Sequence, residues 1–231
     1  MTGTYDLAIV GGGIMGCSTA LRLAENGMKI IILDQGDLGH GASGVNAGTL
    51  SLQIKRVKLM PYALKGHSEW EAMGDAVGFK KTGGYTLAFT EREVELLHER
   101  QTLKANAGAP ISFVSNNVLR AAEQNLSHKV LAASYCPEDG YANSSLTGHY
   151  YRVRLKQNGV EYREQCSVKF ITRNSSSFKL TTQLGSVQAK RLLLAAGAWL
   201  KPIAAYLGVD LPVCTRVNTV SVTERMPPLV S

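Results

Sequence analysis

The run Gly11-Gly12-Gly13-Ile14-Met15-Gly16 constrains this chain more than any other feature. Before it, Tyr5–Val10 contains a continuous apolar stretch that reads as a buried strand. After it, Ile14–Asn26 carries helical periodicity, with Gly27 where a C-cap is expected. Lys29–Leu33 is a second apolar run, ended by Asp34. This order predicts a β-α-β unit with parallel strands. Gly11, Gly13 and Gly16 take the three glycine places of G-x-G-x-x-G. The first permits a tight turn, the second lets a pyrophosphate approach the backbone, and the third lets helix pack close on strand. The helix N-terminus adds free N–H groups and partial positive charge. Asp34 stands roughly 20 residues beyond the last glycine, the spacing at which an acid meets a ribose diol. A carboxylate there repels a 2′-phosphate, so the pattern predicts NAD or FAD rather than NADP. The plainer alternative is a structural glycine turn with Asp34 as a loop acid. It leaves the ordered context of strand, turn, helix, strand and acid without a reason.

Further along, residues 35–51 form a Gly/Ser/Asn-rich loop, long enough to suggest function or disorder. Leu59–Met73 reads as an amphipathic helix and Gly83–Phe89 as a strand. Thr90 and Glu93 make a capping box that opens the next helix. Helical and strand signals then mix up to Ala133. A helix is expected over Ser145–Asn158, closed by Gly159. Glu161–Arg173, Phe178–Leu184 and Val187–Ala189 predict a meander of short strands. Arg191–Ala196 reads as a further buried strand, Trp199–Leu207 as a short helix and Val217–Thr223 as a last strand.

The chain has 231 residues, 45% hydrophobic and 19% charged, which excludes global disorder. No apolar run approaches the ~18 residues of a membrane span, and the start lacks the basic n-region of a signal peptide. A net charge of +7 suits anionic ligands, but the excess is scattered, unlike the stripe of a nucleic-acid binder. Its densest cluster is Lys55, Arg56 and Lys58. Cys17, Cys136, Cys166 and Cys214 have neither C-x-x-C pairing nor zinc spacing, so no metal site and a reducing, cytoplasmic setting are expected. Ser43 is not in a G-x-S-x-G elbow, which argues against a hydrolase. His67 and His98 are expected on helix surfaces, and Trp70 and Trp199 as packing residues. Cys17 is read as a small packing residue inside the first helix. His40 is read as an exposed loop residue. Arg56 and Arg216 could meet an anionic group of a ligand, with surface charge the plainer reading of both.

The choice between NAD and FAD rests on a resemblance. The segments YDLAIVGGGIMGCSTALRLAENG, LGHGASGVNAGTLS, GGYTLAFTEREVELL, DGYANSSLTGHYYR and RLLLAAGAW occur here in order. Together they resemble the FAD-dependent oxidoreductases of the D-amino acid oxidase, glycine oxidase and sarcosine oxidase type. The resemblance implies that Gly11, Gly13, Ile14, Met15 and Gly16 hold the FAD pyrophosphate and that Asp34 holds the ribose. It places Ser43, Asn46, Ala47 and Gly48 along the pyrophosphate and flavin, Val168 at the adenine, and Ala196 and Gly197 at a close approach to the cofactor. Asp34 departs from the family's commoner Glu, and Ser144 stands where relatives often carry Pro. SGVNAGTLSLQIKRVKLMPYAL looks closest to β-subunit-like dehydrogenases of opines, proline-type imino acids or glycine.

The implied fold is α/β. A Rossmann-like FAD-binding domain, a parallel sheet with a β-meander, is interleaved with a partial α+β substrate domain. Residues 1–80 and 140–205 form the FAD domain, 81–139 begin the substrate domain, and 206–231 start a substrate-domain sheet that is cut short. The implied activity is oxidation of a C–N bond in an amino or imino acid by hydride transfer to flavin N5. The candidates are a D-amino acid, glycine, sarcosine, a proline-like amine or an opine. The alternatives are a catalytically incomplete FAD-binding fragment and an NAD-dependent Rossmann dehydrogenase. Expected partners are the small amine substrate and a quinone or partner subunit as electron acceptor. No nucleic acid is expected; the expected location is the cytoplasm, with peripheral contact at the inner membrane face as a variant. No individual catalytic residue is nominated.

Overall fold

The computed structural model describes residues 4–224 and Pro227. The chain runs through β1 (Tyr5–Val10), α1 (Ile14–Ala24), β2 (Ile30–Leu33), β3 (Thr49–Leu50), α2 (Met60–Met73) and β4 (Lys80–Lys81). It continues through β5 (Gly84–Ala88), α3 (Glu91–Asn106), β6 (Ser112–Ser115), α4 (Asn116–Ala122), β7 (Ala132–Cys136) and β8 (Gly140–Tyr141). Last come α5 (Thr147–Gln157), β9 (Glu161–Arg163), β10 (Val168–Arg173), β11 (Phe178–Thr182), β12 (Gly185–Leu194) and α6 (Leu200–Ala205). Contacts divide the chain into two compact units, 1–46 with 144–220 and 47–143 with 221–231.

The first unit is built on a six-stranded sheet of order β10-β11-β12-β1-β2-β9. β12, β1, β2 and β9 run parallel, while β10, β11 and β12 form an antiparallel meander. β1 and β2 are central, so their side chains are buried on both faces. Ala8, Ile9, Ile31, Ile32 and Leu33 are fully enclosed, as a continuous apolar run demands. One core cluster joins Tyr5, Val10 and Leu33 to Ile171, Leu180 and Val187 of the meander. The two short strands expected at 187–189 and 191–196 are a single strand, β12. Its first half pairs antiparallel with β11 and its second half parallel with β1. Lys190 and Arg191 make the sequence look interrupted; both are exposed, and Lys190 pairs with Asp6 at 2.8 Å. The run 161–173 splits the other way, into β9 and β10, around residues 164–167.

The second unit holds two small sheets, β3-β8-β4 and β5-β7-β6, both antiparallel. α3 opens on the expected capping box: Thr90 Oγ1 accepts from Glu93 N at 3.2 Å, and Glu93 Oε2 accepts from Thr90 N at 3.1 Å. The Asp139 carboxylate organises the unit's centre. It accepts from the Ser51 hydroxyl, from Leu52 N at 2.8 Å and from Gln53 Nε2 at 3.3 Å. Those bonds tie residues 51–53 to this unit, whereas the sequence alone groups them with the cofactor domain.

Three local expectations are corrected. Residues 209–224 contain no strand, so Val217–Thr223 does not pair; Val217 and Val222 stand 94% and 90% exposed. His67 is buried, its ring edge-on to Phe79 at 5.6 Å, rather than on the helix surface. Trp199 lies 53% exposed on a 3₁₀ turn rather than packed. His98 is exposed as expected, with its ring stacked on Phe113.

Candidate cofactor-binding site

β1 delivers the chain to Gly11, which has φ +110°. A Cβ there would meet Ala195 O at 2.4 Å and Ala196 Cα at 2.9 Å. Glycine is therefore demanded by the backbone of the segment leaving β12, which Ala195 N anchors to Val10 O at 2.8 Å. A Cβ on Gly16 would meet Gly11 O at 2.0 Å and Ile9 Cγ2 at 3.3 Å, so the third glycine lets α1 sit on β1. Gly13 differs from both. A Cβ there would meet only Ser43, Oγ at 3.0 Å. The restraint on Gly13 comes from one side chain, and the rest of its face is clear.

The first turn of α1 presents backbone N–H groups that have no intrahelical acceptor. Ser43 Oγ accepts from Ile14 N at 3.0 Å, and no acidic side chain stands in that turn. Met15 projects 69% exposed beside it. The first turn itself carries no acid, and the carboxylate that comes nearest is Asp34, on Gly12 N just before the helix. Ser43 reaches this place because 41–43 form a 3₁₀ turn. Asn46 Nδ2 closes that turn on Ala42 O at 2.9 Å and Ser43 O at 3.1 Å. Ser144 donates to Asn46 O at 2.9 Å and Gly44 O at 3.2 Å and so holds the loop.

Asp34 ends β2 beside the turn. Its Oδ2 accepts from Gly12 N at 2.5 Å and its Oδ1 from Gly36 N at 2.8 Å. Each oxygen keeps a further lone pair. Cys17 packs underneath, its Sγ donating to Gly12 O at 3.2 Å, and burial followed by the charge of Asp34 pushes its thiol up to about 12. It is a neutral packing residue at ordinary pH, as its place in the sequence suggests.

The structure thus brings together Gly11, Gly13, Ile14, Met15, Gly16, Asp34, Ser43, Asn46 and Ala196. Gly197 follows with φ +54° and open space where a Cβ would stand. Val168 begins β10, half-buried, on the far side of the sheet order from β2. Nearer Asp34 is the segment before it: Gln165 N bonds Gly36 O at 3.0 Å and Cys166 N bonds Asp34 O at 2.6 Å. Ala47 and Gly48 belong to the second unit. There Gly48, at φ +70°, packs on Ala142, whose O would lie 1.9 Å from a Cβ.

Sequence reasoning missed the support behind the loop. Glu164 Oε1 accepts from Leu38 N at 2.6 Å and pairs with Arg152 Nη2 at 2.6 Å. Gln165 is the one described non-glycine residue with positive φ, at 50°. Neither has a periodic or motif signal. In the second unit, His67, Glu71 and Glu138 lie close enough to share a cation. The Lys81 ammonium already sits between those carboxylates, at 2.7 and 2.8 Å.

A glycine-lined turn, a helix with no acid in its first turn and an acid at the end of β2 fit a dinucleotide pyrophosphate and ribose. Comparison with known proteins agrees. The family model DAO, FAD dependent oxidoreductase, matches residues 6–230. An opine oxidase subunit of Rhizobium meliloti is 31% identical over 95% of this chain and 63% of its own length. Glycine oxidase of Geobacillus kaustophilus is 29% identical over 92% of this chain and 60% of its own length. The crystal structure of glycine oxidase from that organism superposes with a TM-score of 0.82, covering 91% of this chain and 60% of that one. The L-proline dehydrogenase of P. horikoshii, 21% identical, shares the fold with a TM-score of 0.81 over 90% of this chain and 57% of its own. The chain spans about three fifths of the length of these relatives. On a match over nearly its whole length, the chain belongs to the DAO family of FAD-dependent oxidoreductases.

Proposed function

We propose that this chain supplies the FAD site of an oxidoreductase acting on the C–N bond of an amino or imino acid. What supports the reading most is the first turn of α1, which carries no acid of its own and starts at Gly13, where a Cβ would meet only Ser43. In this proposal Gly13 and Met15 offer N–H groups to the pyrophosphate, with Ile14 between them, whose N–H is held by Ser43 Oγ. Gly11 and Gly16 shape the turn, and Asp34 takes the ribose hydroxyls with its spare lone pairs. Ser43 and Asn46 fix the loop that continues through Ala47 and Gly48 toward the flavin. Val168 lies toward the adenine, and Ala196 and Gly197 give the close approach beyond β12. When bound, FAD supplies the two-electron acceptor for the oxidation. The chain's own residues bind, orient and neutralise charge. We also propose interleaved domains, with residues 1–80 and 140–205 serving the cofactor and 81–139 and 206–231 the substrate.

The relatives' names include an opine oxidase and a glycine oxidase. An opine or a small amino acid is the substrate class to try first, with a partner subunit as a candidate electron acceptor. The test is to load the purified chain with FAD and add glycine, sarcosine, proline, a D-amino acid and an opine anaerobically. Bleaching of the visible flavin absorbance by one of them is expected. A chain that takes up no FAD overturns the reading, and so does tight NADH binding in its place.

A further inference from the structure

A cavity of about 730 Å³ lies within the second unit, walled by α3, the 53–57 loop and strands β5 and β7. That volume falls in the range of roughly 300–1,000 Å³ common to small-molecule sites. Leu87, Leu97 and Ile111 give it apolar lining. Four cations line it as well: Lys55 and Arg56 from the loop, Arg100 and Lys104 from successive turns of α3. Among the described residues none of the four is in an ion pair. The Lys104 ammonium donates to the Gln53 carbonyl, and burial followed by the nearby charge of Arg100 lowers its pKa.

One acid lines the cavity, Glu93, and it does not neutralise them. Its Oε2 accepts from Phe89 N at 2.7 Å and Thr90 N at 3.1 Å as part of the helix cap. The wall beneath is fixed, because the buried Gln53 amide donates to Gly84 O at 2.6 Å and accepts from Ser134 Oγ at 2.5 Å. Lys55, Arg56 and Arg100 are exposed and Lys104 is half-buried, and an anion shared between them would relieve their repulsion.

We propose that this cavity binds a small aliphatic dicarboxylate, one carboxylate held by Lys55 and Arg56 and the other by Arg100 and Lys104. Two pairs of cations from two segments ask for two anionic groups. The apolar lining asks for methylenes between them, which inorganic phosphate lacks. The proposal concerns binding and stands apart from whether a flavin is reduced.

Titration calorimetry of the full chain with glutarate tests it. Saturable binding is expected. The neutral diamide of glutarate and inorganic phosphate should each bind at least about tenfold more weakly, as should the Arg56→Gln and Arg100→Gln variants. Arg92→Gln is the control: it lies on the same helix and is already paired with Glu95 at 2.9 Å, so affinity should not change. Absence of glutarate binding overturns the proposal. So does equal affinity for the diamide or phosphate, or an Arg92→Gln loss as large as that of Arg100→Gln.

Discussion

The glycine turn of the first unit and the cavity of the second are both suited to anions, yet they are made of different material. At the turn, recognition is backbone: N–H groups of α1, glycines pressed on carbonyls, and one hydroxyl from Ser43. At the cavity it is side chain: four cations on a loop and a helix, with the lining carboxylate, Glu93, spent on a cap. A backbone site is bound up with folding, because its geometry is the packing of β1, α1 and β12. A side-chain site can be altered with little effect on the fold. The two therefore predict opposite couplings between stability and binding.

The largest effect is expected where the two are inseparable. Gly16→Ala puts a Cβ 2.0 Å from Gly11 O, which is backbone and cannot swing aside. Separating α1 from β1 should cost about 3 kcal/mol, the upper range for overpacking. At this chain length that is a Tm lower by roughly 6–12 °C. Thermal unfolding measures it, and FAD affinity should fall with it. An unchanged Tm with lost FAD affinity would mean that Gly16 serves the ligand and not the packing, and the contrast between the sites would weaken.

Asp34→Ala comes next. It leaves Gly12 N and Gly36 N without their acceptor, at about 1–3 kcal/mol for buried groups left unmade. Asp34→Asn keeps the shape and one acceptor oxygen and should recover part of that loss. Comparing the two by denaturant unfolding and by FAD titration separates the structural share from the ribose share.

These predictions also mark what the sequence made legible. The β-α-β order could be read because β1 and β2 are central strands whose residues must all be apolar, and because each glycine answers a steric demand. The capping box of α3 could be read because its partners are three residues apart. What could not be read depends on distant pairs. Glu164 reaches Leu38, Ser144 holds Gly44 and Asn46, and Asp139 gathers Ser51 to Gln53. Such pairs leave no periodicity in the chain. Val217–Thr223 failed for the opposite reason, since alternation without a neighbouring edge does not make a strand. The cavity was hidden because its cations are separated by some forty residues of sequence, so only Lys55 and Arg56 showed as a cluster.

A third prediction concerns pH. Cys17, with its thiol raised to about 12 in the folded chain, keeps its proton where the unfolded chain has lost it. Its contribution is complete below the ordinary thiol value of 9.0 and is lost as pH rises toward 12. Stability should therefore fall as pH rises across that window on account of this group. Cys17→Ala should flatten the slope without touching the cap made by Ser43. An identical slope in the variant would show that the thiol is not the group responsible.

The smallest effect is expected at the cavity, and it is the sharpest test of the contrast. Arg100 and Lys104 stand four residues apart on α3, an arrangement that destabilises a helix by about 0.2–0.5 kcal/mol when the charges are alike. Arg100→Gln removes that repulsion. The variant should be as stable as the parent, or slightly more so, even as it loses affinity for the dicarboxylate. Salt should act in the same sense. The screening length is about 10 Å at 0.1 M and about 3 Å at 1 M, so added sodium chloride should stabilise the parent more than the variant. A stability measurement at low and high salt on both chains decides it. If Arg100→Gln instead lowers stability by as much as Asp34→Ala, the cations of the second unit are holding the fold together. The distinction between a site made of backbone and a site made of side chains would then fail for this molecule.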